Sequence, residues 1–247
     1  MLLLDLFQKQ GEICFKYRGQ LPVFLFLLVI PFILFTDYTL ISSIIYNLSI
    51  TIGVIMIILG LLIRFYTIAT TPKGTSGRNR KAQVADSLNT KGIYSILRNP
   101  LYLGNYLIWL GISFTTINIY FVVFMTLIFI FFYERVIFVE EIFLKNKFKD
   151  SYLHWSSNTP VIIPSFSNYS RSEVSFSFLS ILRREYATVA STTIGFIYVE
   201  LIRNFTISNE IILNNTTFNT VIIIFIVVII LSLLKKFTTV LNEQNRS

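Results

Sequence analysis

The 247-residue sequence is 54% hydrophobic and 16% aromatic with only 14% charged residues, which excludes an ordinary soluble domain. One cysteine, Cys14, excludes an internal disulfide framework, and one histidine, His154, leaves no His/Cys metal site. The formal net charge of +8 does not indicate nucleic acid, because the basic residues cluster between long apolar blocks, as in a multi-pass membrane protein.

Residues 1–20 mix Leu2, Leu3, Leu4, Leu6, Phe7 and Ile13 with Lys9, Lys16 and Arg18, too mixed to span. They read as an interfacial amphipathic segment rather than a cleaved signal peptide. Residues 21–35 form a short first span expected to bend at Pro31, Asp37 marks an outer turn, and residues 40–63 form a second span. Residues 64–98 read as a polar loop. Its part from Thr71 onward carries Lys73, Arg78, Arg80, Lys81, Lys91 and Arg98 against Asp86.

That loop ends in Arg98-Asn99-Pro100-Leu101-Tyr102, the grammar of a helix start: Asn99 as N-cap and Pro100 at the first helical position. About 37 residues separate Tyr102 from the next acidic pair, Glu140-Glu141, enough for two crossings of about 18 residues and about 27 Å each. Spans three (residues 101–118) and four (residues 119–138) therefore form an out-and-back hairpin. It returns Glu140 and Glu141 to the face where Arg98 and Tyr102 began.

Beyond it, Glu141, Leu144, Phe148, Tyr152 and Trp155 recur at steps of three or four, the stripe of a helix lying along the interface and stopping before Pro160. Residues 164–180 are Ser-rich and read as a linker, and residues 186–202 and 218–234 make a final hairpin. Glu200 and Arg203 read as an internal pair near the outer surface, and Asn-x-Ser/Thr matches such as Asn204-Phe205-Thr206 as chance in an Asn-rich chain.

The proposed outer turns carry no Lys or Arg, so the positive-inside rule puts both termini, the basic loop and the Glu140-Glu141 segment in the cytoplasm. The expected fold is all-α: a multi-pass transmembrane helical bundle of about six spans, with a cytoplasmic interfacial helix after span four. Its expected divisions are residues 1–70, a core at 71–164, a linker at 165–185 and a C-terminal hairpin with its tail at 186–247. The abundance of Ile, Phe, Asn and Lys fits an AT-rich bacterial genome and hence a bacterial cytoplasmic membrane.

Arg98-Asn99-Pro100-Leu101-Tyr102-Leu103-Gly104, then Glu134-Arg135, Glu140-Glu141, Leu144, Phe148, Tyr152 and Pro160-Val161-Ile162-Ile163-Pro164, resemble one family. It is that of the integral-membrane methyltransferases, which includes isoprenylcysteine carboxyl and phospholipid N-methyltransferases. Asn99 departs from the commoner histidine at its position. The resemblance covers about residues 92–164 and implies S-adenosylmethionine as methyl donor. It implies a cofactor pocket lined by Arg98, Asn99, Tyr102, Gly104, Asn105 and Leu144 with Glu140 and Glu141, of which Arg98, Glu140 and Glu141 bear on catalysis, and Tyr152 on the acceptor side. Gly104 would let the ligand approach backbone.

The acceptor it implies is a lipid or lipid-linked group in the membrane. The loop with Arg78, Arg80 and Lys81 has two readings: a positive-inside loop facing anionic lipid, or a binder of a phosphorylated headgroup. A lipid phosphate or carboxylate oxygen is already anionic and needs no general base, and histidine is scarce, so O-methylation is preferred to N-methylation. Some bacterial proteins resembling this pattern act on lipid A phosphate, which makes lipid A 1-phosphate one candidate acceptor, with isoprenylcysteine-type carboxyl or phospholipid N-methylation as the alternatives. Two rivals stand beside this reading: a sterol-reductase-like membrane enzyme using NADPH, and a non-enzymatic scaffold or transporter.

Overall fold

The computed structural model describes residues 2–72, 75, 83 and 85–243. Among these there are seven α-helices and no strand: α1 (Leu3–Tyr17), α2 (Leu21–Leu34), α3 (Ser43–Ala69), α4 (Pro100–Phe114), α5 (Ile119–Asn158), α6 (Phe178–Ser208) and α7 (Asn215–Phe237). Side chains at helix starts satisfy the otherwise unpaired N–H groups: Ser42, Asn118, Ser177 and Asn214 accept from Ile45, Phe121, Ser180 and Thr217. Helices α2 to α7 fall on the six segments read as spans. α3, α5 and α7 are long and apolar enough to cross a membrane, and α1 with α2 would add a fourth crossing if that bent pair is one span. α2 and α4, with 14 and 15 residues, reach only about 22 Å against a hydrocarbon core of about 30 Å.

Three local expectations differ from the structure. The sharp bend lies between α1 and α2, whose axes meet at 83°, while Pro31 sits undisruptively near the end of α2. α3 continues to Ala69, so Arg64, expected to open a loop, is a buried helical residue. α5 does not stop at Phe138; it runs through Glu140 and Glu141 to Asn158, with a non-helical break at Lys149 (φ 46°, ψ −118°). Its 40 residues would measure about 60 Å unbroken, twice a hydrocarbon core of about 30 Å, and the segment expected as an interfacial helix continues the same helix as far as the kink at Lys149. The expected stripe survives: Tyr152 and Trp155 are buried, while Lys145, Asn146 and Lys147 are exposed.

α3 and α4 pack antiparallel through two pairs of glycines. A Cβ on Gly60 would stand 2.6 Å from the Gly104 carbonyl oxygen, and one on Gly53 2.6 Å from that of Gly111. Between α4 and α5 lies an aromatic ladder: Phe129 stacks on Tyr133 at 4.2 Å, and Tyr102 and Tyr106 lie 4.7 and 5.0 Å from Tyr133 and Phe129.

The α4–α5 turn is pinned from three elements. Asn118 Nδ2 donates to Phe32 O (3.1 Å), the Tyr38 hydroxyl to Thr116 O (2.9 Å), and Arg203 Nη1 to Thr115 O (2.5 Å). Arg203 and Glu200 are both buried here, yet no ion pair joins them; Glu200 instead accepts from Asn214 and Thr217 at 3.4 Å.

Gly60→Val tests the glycine contact. The branched side chain must push α3 from α4, and overpacking of this kind costs about 1–3 kcal/mol. A lowered midpoint of thermal unfolding in detergent is expected, and an unchanged midpoint would contradict the close packing.

Candidate functional site

The site grows from the end of the α4–α5 hairpin opposite its pinned turn. Arg98 follows a 3₁₀ turn, Ile93–Ser95, which Gly92 opens with a left-handed φ of 62°. The segment read as a linker straps this turn down. Gly92 N donates to Ser170 O (2.9 Å), Ser165 N to Ile96 O (3.0 Å), and Arg98 N to Pro160 O (2.9 Å). The Trp155 indole N–H adds a bond to Tyr94 O at 2.8 Å. Asn99 and Pro100 hold the expected N-cap and first-turn positions, but the Asn99 amide does not cap. The Tyr102 and Leu103 N–H groups already reach the Asn99 carbonyl at 3.1 Å, which frees Asn99 Nδ2 to donate to Val161 O at 3.1 Å.

Across the hairpin the two polar patches meet. The Tyr102 hydroxyl lies 2.9 Å from both Glu140 oxygens, and Arg98 Nη1 donates to Glu141 Oε1 at 2.7 Å. One turn deeper, Asn105 Oδ1 accepts from Arg64 Nη1 at 2.7 Å. The remaining Arg64 donors grip Glu185 of α6 in a bidentate pair (2.8 and 2.9 Å), with Thr188 Oγ1 at 3.3 Å. Glu185 is only 1% exposed, so this is a buried pair.

A cavity of about 290 Å³ lies among these groups, and of the residues named from the sequence it is lined by Arg98, Asn99, Tyr102, Asn105, Glu140 and Leu144. Glu141 stands beside it as the partner of Arg98. Gly104 packs on α3 against Gly60 and the Arg64 side chain, so the backbone approach it permits is between helices rather than to a ligand. Tyr152 is buried near the end of α5, and its hydroxyl and Arg98 Nε make no hydrogen bond. Arg78, Arg80 and Lys81 lie outside the described residues.

The structure adds lining residues that the motifs did not indicate: Phe15 and Arg18 from α1, Arg64 from α3, Tyr94 from the 3₁₀ turn, and Arg184 and Glu185 from α6. Burial pushes the Tyr94 hydroxyl up to about 12, against the opposing pull of Arg184, so it stays protonated and able to donate. Arg64 was detectable in principle, as an arginine continuing an apolar helical run through Ile68 and Ala69. Arg184 and Glu185 carry no comparable signal, since a charged cluster before an apolar helix is ordinary.

The family model described as phospholipid methyltransferase matches residues 48–151, from α3 into the second half of α5. The resemblance read from the sequence is to this membrane methyltransferase family. No curated protein and no solved structure matches the chain. The matched segment contains Arg64, the Arg98–Asn105 helix start and Glu140–Leu144, and the family it resembles is one of membrane methyltransferases. Phe15, Arg18, Arg184 and Glu185 reach the same cavity from outside it.

Glu185→Leu alone leaves the Arg64 guanidinium buried without its counter-ion and should cost about 3–5 kcal/mol. Arg64→Leu with Glu185→Leu should cost less than Glu185→Leu alone. Thermal unfolding of the three proteins checks this order.

Proposed function

We propose that this protein transfers a methyl group from S-adenosylmethionine to an anionic oxygen of a lipid or lipid-linked acceptor. In this reading the chain crosses a bacterial cytoplasmic membrane six times, with both termini and the Arg98–Glu140 cavity on the cytoplasmic side. The shorter helices α2 and α4 then cross where flanking residues and neighbouring helices accommodate the mismatch. The observation that carries the reading is the convergence of Arg98, Tyr102, Asn105 and Glu140 on one cavity within the family-matched segment.

The lining suits the donor. Arg98 lines the cavity with a guanidinium able to meet a carboxylate, and Glu140 supplies a carboxylate for an ammonium or sulfonium. When bound, the donor supplies an electrophilic methyl and leaves as a neutral thioether. The protein's task is alignment and exclusion of water. Tyr102 fixes the Glu140 carboxylate by bonding both oxygens, Glu141 fixes Arg98, and Arg64 fixes Asn105. Phe15 and Leu144 contribute apolar wall.

The charged lining supports an anionic acceptor. Among the described residues the cavity is lined by four guanidiniums, Arg18, Arg64, Arg98 and Arg184, and two carboxylates, Glu140 and Glu185. Glu141 beside Arg98 brings a third carboxylate, and the donor adds a net positive charge of its own. An acceptor that arrives as an anion, such as a lipid phosphate or carboxylate, suits this arginine-rich lining. Such an oxygen needs no proton removed, whereas an ammonium acceptor would need a base and would add a further positive charge. A lipid A 1-phosphate belongs to the favoured class, and Arg78, Arg80 and Lys81 are candidates to meet its headgroup.

Equilibrium binding to the purified protein tests the donor. S-adenosylmethionine should bind and NADPH should not. Arg98→Ala and Glu140→Gln should each weaken binding about 10–100-fold, the loss of one charge-assisted hydrogen bond worth about 1.5–3 kcal/mol. Binding of NADPH instead, or variants as tight as the parent, would overturn the assignment. Mass spectrometry of lipids from cells with and without the gene should show a difference of one CH₂ on a phosphate- or carboxylate-bearing lipid.

A further inference from the structure

A second, larger cavity adjoins the first. α1 crosses α5 at Gly11, where an added Cβ would stand 2.5 Å from the Arg135 carbonyl oxygen. Around this crossing the Arg135 guanidinium lies 3.6 Å over the Phe7 ring, and its Nε donates to Gln10 Oε1 at 3.1 Å. Beyond it a groove of about 900 Å³ opens between the second half of α1 and the α5 residues Val139, Ile142, Phe143 and Asn146. Phe15, Gln83 and Phe143 line both the groove and the donor cavity. Phe15 is held in place: the Arg18 guanidinium stacks 3.7 Å over its ring and donates to its carbonyl at 2.8 Å.

We infer that this groove is the acceptor site, holding the neck and first chain segment of an anionic lipid whose head passes Phe15 and Phe143 into the donor cavity. The inference rests on the methyltransferase reading given above. Three features support it. The groove is amphiphilic along its length: Tyr17, Val139 and Ile142 offer apolar wall to a hydrocarbon chain. Gln8, Gln20 and Asn146 offer amides that can both donate to and accept from the ester, amide or hydroxyl groups of a lipid neck.

The groove also sits at the right depth. Val139 to Asn146 lie one to three helical turns beyond Glu134 and Arg135, the point where α5 turns from apolar to charged. The flanking α1 exposes Leu3, Leu4 and Ile13, each more than half exposed, apolar side chains suited to the bilayer surface. Finally, Lys16 lines the groove, where Glu12 is the one carboxylate among the described residues, and Arg18 lines the donor cavity beyond it, so a cation stands along the path of an anionic head.

The test uses the full chain in vesicles containing phosphatidic acid with a diazirine on its acyl chain. Photolabelling should map to α1 from Glu12 to Gln20 and to α5 from Val139 to Asn146. Ile142→Trp, which fills the groove, should reduce labelling there at least tenfold while S-adenosylmethionine affinity stays within twofold. Lys16→Glu, at an exposed position that leaves packing intact, should reduce labelling by phosphatidic acid but not by phosphatidylcholine bearing the same diazirine. Labels confined to lipid-facing helices such as α7, labelling unaffected by either variant, or loss of donor binding with Ile142→Trp would each overturn the groove assignment. If the unaltered protein binds no S-adenosylmethionine, it is the methyltransferase reading that falls, because the labelling map reports lipid occupancy independently.

Discussion

A guanidinium inside a bundle of apolar helices must find its partners within the fold, and at Arg64 this protein meets that demand with a counter-charge, Glu185. Arg64 rises from α3 at the level where Gly60 and Gly104 bring α3 and α4 into backbone contact, so its stem packs directly on α4. From there it reaches Asn105 on α4 and Glu185 on α6. A buried ion pair of this kind adds little net stability over an apolar substitute, but removing either member alone is costly. In this alignment the one guanidinium ties α3 to both α4 and α6. That alignment also sets Asn105 at the cavity, one turn below Tyr102.

The α4–α5 hairpin divides its work between its ends. At the turn, bonds from Asn118, Tyr38 and Arg203 fix the point of reversal from α2, the following 3₁₀ turn and α6. Along the middle, Phe129, Tyr133, Tyr106 and Trp109 fill the space between the arms. Both constraints carry forward to the open end, where a slip of one residue in either arm would rotate Glu140 by about 100° away from Tyr102. The strap of residues 160–177, bound to the backbone at Ala69, Gly92, Ile96 and Arg98, holds the remaining wall without needing a helix or a sheet.

The proposed lipid methylation would join two chemistries of opposite solubility. Its donor, a charged nucleoside derivative, would arrive from water, and its acceptor, an amphiphile, would stay in the bilayer surface. A cavity at the charged end of α5, with α1 packed across that helix, would give each proposed reactant its own side of approach. In the proposed membrane placement the polar lining lies where hydrocarbon gives way to water, so ionised side chains are retained without burying them at the membrane midplane.

Much of this was legible without coordinates, because the signals are local or periodic. The apolar blocks located α2 to α7, Asn99-Pro100 located the start of α4, and the length between Tyr102 and Glu140 required a hairpin that reunites them, as the bonds of Tyr102 to Glu140 and Arg98 to Glu141 report. The three-and-four spacing of Glu141 to Trp155 likewise gave the buried face of the last part of α5. What stayed hidden depends on where segments far apart in the chain come to rest. Nothing near Asn99 in sequence says that Val161 will take its amide, and nothing near Arg184 and Glu185 says that a helix outside the family-matched segment will close the cavity. Composition and periodicity determined the helices, their apolar faces and the pairing of the hairpin arms. Tertiary packing alone decided which charges became neighbours, because Coulombic pairing and steric approach depend on distance in space, which local pattern does not encode.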